Sequence, residues 1–364
     1  KTMGSLYLPS FYIKGFKSIE EMDLKSLSAI NLIAGDNNVG KSTILEAIYA
    51  FVYQGFFLTL KQLTFQRMNY TAADFDIEYT SERLSLITQL FNGWEFKGGK
   101  SIVLHTGPDR NVELTLGYIF IENLKTEDGL FAKTIFKEDD KFAVDAFCKG
   151  IRIKADNNEF IYSLETSTVV SNKIKPYVPI QFIHTSSLNK SLNSKLWDDI
   201  ALTGLEKHVV DALRIIEPDI DNLAFIEDPY TESGKLIRVP YITFKNKFGR
   251  YPLSVMGDGM NRILSIILGL VSSKDGVCLI DEIENGIYYK RQPELWDMIC
   301  HLVKDLNIQL FATTHSLDCI RNFSTSATDN SQFIRLEKRK TGIKAVCYNP
   351  DELKVALEND IELR

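Results

Sequence analysis

"GDNNVGKST", residues Gly35–Thr43, fits the spacing Gly-x-x-x-x-Gly-Lys-[Ser/Thr], with Gly35, Gly40, Lys41 and Ser42 in place. Glycines let a backbone curl so that successive N–H groups face phosphate oxygens, and a following helix adds the positive end of its dipole. Both flanks agree. Ala29–Ala34 is an apolar run of strand length, and Ile44, Ala47, Ile48, Phe51 and Val52 fall on one helix face. The order strand, loop, helix predicts a phosphate loop of Gly35, Asn37, Asn38, Gly40, Lys41, Ser42 and Thr43. In it Lys41 reaches the β- and γ-phosphates of a nucleoside triphosphate and Ser42 ligates Mg²⁺.

A phosphate loop requires a second strand ending in an acid, and "GVCLIDEIENG" supplies one. Val277–Ile280 reads as a buried strand, Asp281 as the metal carboxylate, and Glu282 as the base that polarises an attacking water. Downstream, "NIQLFATTHSLDCI" brings another apolar strand into Thr313, Thr314 and His315, with Leu295, Trp296, Met298, Ile299, Leu302 and Val303 marking a helix between the two. That is a parallel crossover, and it sets His315 on the strand edge where such sheets bind ligands. Ahead of the acidic strand, "PLSVMGDGMNRILSIILGL" opens a long apolar helix with a turn carrying Ser254, Gly257 and Gly259. It is a second anion-binding helix start, which one triphosphate in one chain has no use for. The turn is expected to serve another subunit.

Composition excludes other classes. The 364 residues are 45% hydrophobic and 25% charged, with no run long and uncharged enough for a membrane span, so a cytoplasmic chain is expected. Cys148, Cys278, Cys300, Cys319 and Cys347 are scattered without metal-binding or disulfide spacing. A net charge of −6 gives no overall attraction for nucleic acid, which leaves a local contact open, and "EKRKTGIK" (337–344) reads most simply as a solvated hairpin turn.

This order of motifs resembles the ABC-type ATPase heads of the SMC, RecF and OLD group, over residues 11–54 and 250–325. The resemblance implies an α/β P-loop NTPase fold, binding and hydrolysis of ATP with Mg²⁺, and a homodimer in which one protomer's signature turn caps its partner's nucleotide. Ser254–Met260 is similar to that turn, although "LSVMGDG" replaces a compact Leu-Ser-Gly-Gly. Glu284-Asn285-Gly286 resembles the dimer-contact loop, and Gly286-Ile287-Tyr288-Tyr289 stands where close relatives often have Gly-Leu-His-Pro. His315 is similar to the switch histidine. "FYIKGFKSI" resembles the first strand, placing Phe16 and Lys17 near the nucleotide, and Gln89 in "LITQLFNG" is the candidate for the glutamine that joins Ser42 and Asp281 at the metal.

Four segments are expected: 1–54 and 236–364 as the two catalytic parts of a head with a mixed sheet, 55–185 as an inserted antiparallel β-subdomain, and 186–235 as a helical arm or lid. Strand-like runs such as "SIVLH", "VELTLGYIF" and "IRIKA" support the second, and a helical stretch over 186–217 stopped at Pro218 supports the third. Two functions remain open: a hydrolysing switch, which Glu282 favours, and a nucleotide-gated scaffold with slow turnover. A DNA-repair ATPase of the RecF or SMC kind is a further alternative. GTP is disfavoured, because "FKNKFG" has Gly249 where a guanine-reading Asp belongs. OLD proteins continue into a Toprim nuclease for which the residues after His315 leave no room, so a separate effector, a nuclease or toxin as in split anti-phage defence, is the expected partner.

Overall fold

Ile30–Gly35 is buried at every residue, which suits a strand covered on both faces. A computed structural model describes residues 6–65, 86–107, 109–126, 129–165, 175–185, 190–227, 238–340 and 342–364, and shows what covers this strand, β3. Around it β9 (Ile180–Ile183), β13 (Val277–Ile280), β14 (Gln309–Thr313), β15 (Ser331–Arg339) and β16 (Gly342–Tyr348) form a six-stranded sheet in the order β16-β15-β3-β14-β13-β9. All are parallel except β16, which returns from β15 as the expected hairpin, Arg339 opposite Gly342. Register is flush: Ile183, Ile280, Ala312 and Leu32 stand side by side, so the loops after four strands open at one edge.

Side chains alternate between two cores. Leu32, Ala34, Cys278, Ile280, Leu310 and Ala312 enter one, and Ile33, Val277, Leu279 and Phe311 the other. The first lies under α5 (Asp258–Ser272), the crossover helix α6 (Gln292–Asp305), α7 (Leu317–Ser326) and α8 (Pro350–Glu358). Trp296 on α6 is fully buried, with its ring centroid 4.9 Å from that of Phe323 on α7. The second core holds α1 (Lys41–Val52), buried nearly all round because a second sheet closes over it, and the short helix α2 (Phe57–Phe65) that follows. Phe51 meets Phe11 of that sheet edge-on at 5.5 Å, and burying each such ring is worth about 1.5–3 kcal/mol.

This second sheet is antiparallel. It runs β2 (Ile19–Leu24), β1 (Phe11–Phe16), β4 (Ser101–Thr106), β5 (Arg110–Thr126), β7 (Cys148–Ala155), β8 (Asn158–Ser163), with β6 (Gly129–Lys137) also on β5. The sheets cut across the segments expected from sequence. β1 and β2 pair onward to β4, Tyr12 opposite His105, because their apolar face lies over α1; β9, from the 55–185 segment, instead edges the parallel sheet.

The helical segment is two helices, α3 (Lys190–Ile200) and α4 (Glu206–Ile216), parted where Leu202 and Gly204 take positive φ of 62° and 85°. Leu196, Ile200, Val209, Leu213 and Ile216 share the core of α5, so the segment lies against the head instead of standing off it. Between it and the signature turn runs a three-stranded antiparallel sheet whose first strand, β10 (Ile220–Glu227), falls in the segment expected to be helical, while β11 (Arg238–Phe244) and β12 (Lys247–Pro252) fall in the second catalytic part.

Candidate functional site

Gly35 ends β3 at φ 145°, where a Cβ would stand 2.6 Å from the carbonyl oxygen of Leu336 on the neighbouring strand. Asn38 follows in the left-handed region at φ 62°, and Gly40 caps α1 at φ 99°. No side chain caps α1 and no acid lies in its first turn, so its leading N–H groups stay directed at the loop. Lys41 folds back into this cradle, donating from Nζ to the carbonyls of Gly35 at 2.7 Å and Asp36 at 2.9 Å. Burial pulls its pKa down, opposed by Glu282, Asp281, Glu284 and Asp36. The corner between β1 and β2 abuts the loop: Ser18 Oγ lies 3.5 Å from a Cβ built on Gly40, and Lys17 Nζ reaches Glu46 of α1 at 2.6 Å.

Flush register brings the acidic strand to the same edge. Ser42 Oγ donates to Asp281 Oδ1 at 2.9 Å, and Thr313 and Thr185 donate to the same carboxylate at 2.7 and 3.3 Å. Glu282 sits at φ 47°, a conformation that costs a side-chain-bearing residue about 1–3 kcal/mol. Its N–H donates to Thr313 Oγ1 at 2.8 Å, while its carboxylate stays partly exposed. His315, exposed beyond the end of β14, places Nδ1 3.8 Å from Glu282 Oε1 and 3.3 Å from Glu284 Oε1, and its backbone N–H donates to that Glu284 oxygen at 3.0 Å.

The structure thus gathers Lys41, Ser42, Asp281, Glu282 and His315. The turn that carries Gln89 is tied to the β1–β2 corner, which abuts the phosphate loop, with Leu90 O accepting from Lys17 N at 2.8 Å and Asn92 Nδ2 donating to Lys17 O at 2.9 Å. Ser254 and Gly257 are exposed, Gly257 at φ 92° with open space around it, and a Cβ on Gly259 would lie 3.0 Å from Gly286 O. The signature turn therefore borders the 284–286 loop of its own chain.

Four residues to which the sequence reading gives no such role complete the site. Thr313, Thr185 and Glu284 orient the acids and the histidine as described, and Arg262 of α5 reaches beneath them. Arg262 is 3% exposed and donates to the carbonyls of His184 at 2.7 Å and Asp281 at 2.8 Å. Burial depresses its pKa, opposed by Asp281, Glu282 and Glu284. A cation directly before the apolar run "ILSIILGLV" (263–271) is the available signal.

The donor set fits the expected ligands. A hydroxyl and a carboxylate are hard oxygen donors suited to Mg²⁺, which keeps most of its shell as water and phosphate oxygens. Accordingly, among the described residues no three His, Cys, Asp or Glu side chains gather into a cage. The uncapped helix start with Lys41 suits a triphosphate.

The family described as "AAA domain, putative AbiEii toxin, Type IV TA system" matches residues 30–319. A protein of Helicobacter pylori named "ATP/GTP phosphatase" is 24% identical over 339 residues, covering 86% of each chain. Among solved structures, the SMC head domain from Thermotoga maritima has a TM-score of 0.45 at 9% identity, covering 94% of this chain and all of that one. The Smc head domain with an extended coiled coil bound to the C-terminal domain of ScpA derived from Pyrococcus furiosus has 0.48 at 12%, covering 98% and 100%. With the family's match spanning the phosphate loop, the acidic strand and His315, the chain belongs to this AAA family and is a P-loop ATPase.

Proposed function

We propose that the chain is an ATP-hydrolysing switch: two copies close around two nucleotides, each lending its phosphate loop to one site and its signature turn to the other, and hydrolysis reopens them. One observation carries this reading. Ser42 and Asp281, separated by 239 residues, meet at 2.9 Å, and the strand that delivers Asp281 delivers Glu282 next, beside His315. Lys41 exchanges the carbonyls of Gly35 and Asp36 for phosphate oxygens. Ser42 and Asp281 would hold Mg²⁺, which would supply charge neutralisation on the phosphates. Glu282 orients the attacking water and accepts its proton at a carboxylate oxygen, while His315 contacts the water or the γ-phosphate.

Exposure of Ser254 and Gly257 supports a turn used by a second copy. The name of the Helicobacter relative supports triphosphate hydrolysis, and GTP belongs in the assay beside ATP. The family's description supports a place in a toxin–antitoxin system; in our reading the switch controls a separate nuclease or toxin, as in split anti-phage defence. Hydrolysis and oligomeric state measured together test the proposal. Glu282→Gln is expected to keep ATP binding, slow hydrolysis by at least about a hundredfold and accumulate ATP-bound dimers. A wild-type rate in this variant would reduce Glu282 to a structural neighbour of Asp281.

A further inference from the structure

We infer that Arg262 is a positioning residue that sets Glu282 for catalysis by clamping the peptide bond between Asp281 and Glu282; the inference rests on the reading of Glu282 as the base. That peptide is held at both of its polar groups. Its carbonyl, on Asp281, accepts from Arg262 Nη2 at 2.8 Å, and its N–H, on Glu282, donates to Thr313 Oγ1 at 2.8 Å. The carbonyl of Glu282 lies 3.4 Å from the same Nη2, and Nη1 holds His184 O at the end of β9. A guanidinium, with donors spread over a rigid fork, spans the ends of two neighbouring strands at once, which an ammonium cannot do.

The clamp answers a local difficulty. Glu282 holds φ 47°, a setting that persists only where surrounding contacts over-determine it. Relaxed to ordinary φ, residue 282 would swing its carboxylate away from His315. Arg262 stands five residues beyond Gly257, on the helix that the signature turn opens, and Gly259 of that helix touches Gly286. The setting of the base is therefore tied mechanically to the element that meets the partner's nucleotide.

A burial-driven structural role and a positioning role separate in a double-mutant cycle. Arg262→Lys and Arg262→Gln are expected to bind ATP within about threefold of wild type and to lower kcat about tenfold or more with KM little moved. In a Glu282→Gln background the same substitutions should change the remaining rate by less than about twofold, because there is no base left to misplace. An unchanged kcat in both Arg262 variants, equal slowing in both backgrounds, or failure of both variants to fold would each overturn the inference and leave Arg262 a core residue. A wild-type rate in Glu282→Gln alone would instead remove the reading of the base on which the inference rests.

Discussion

Lys41 already donates to two loop carbonyls in the structure, and this sets what its removal does. Lys41→Ala should weaken ATP binding by about a hundredfold or more, since a charge-assisted phosphate contact goes with the side chain while the fold loses little. Calorimetric titration with ATP checks this, and an unchanged affinity would remove the phosphate loop from the mechanism. Motif spacing made Lys41, Ser42, Asp281 and Glu282 legible before any coordinates, because each owes its role to its own strand or loop. Arg262 and Thr313 were not legible in the same way. Their work is done on the backbone and carboxylate groups at the end of another strand, and neither pattern nor propensity reports which way those groups point.

Elements divide along a similar line. The strands 277–280 and 309–313 and the helix between them announce themselves through apolar runs and a 3.6-residue period, as do β4, β5 and β7 through alternation. The β10–β12 sheet was hidden because Lys247–Arg250 is exposed throughout and a proline sits within β11, so no face repeats cleanly. That sheet delivers the chain to Ser254, and the turn that follows has room. Nothing lies within 4 Å of a Cβ on Gly257, so Gly257→Arg meets no clash, and although its φ of 92° strains any residue with a side chain by about 1–3 kcal/mol, that local cost should leave folding and ATP binding in place. Hydrolysis should be lost, because the added side chain would stand in the interface that the turn serves. Mixing this variant with Lys41→Ala chains should restore part of the activity, as one composite site in each mixed dimer is whole. Stable mixed dimers without recovery would count against a shared site.

For the whole molecule, the decisive feature is the company β3 keeps. Its neighbours β14 and β15 come from the far end of the chain, as does Gln309, whose Oε1 accepts from Leu8 N at 2.9 Å across 301 residues. The antiparallel sheet, by contrast, draws all its strands from residues 11–163. Such topology separates two kinetic stages, because distant pairings bear the larger loop-closure entropy. In pulse-labelled hydrogen exchange, amides of β4, β5 and β7 should gain protection before those of β3, β13 and β14; simultaneous protection would mean that the sheets form as one unit. On a ribosome adding about 5–20 residues per second, Leu8 waits about 15–60 s for Gln309 to be made. Throughout that interval the apolar strand INLIAG has emerged without either neighbour, a segment for chaperones to shield. A nascent chain can thus display the phosphate-loop motif long before it owns a phosphate site, and its chemistry is withheld until the final strands leave the exit tunnel.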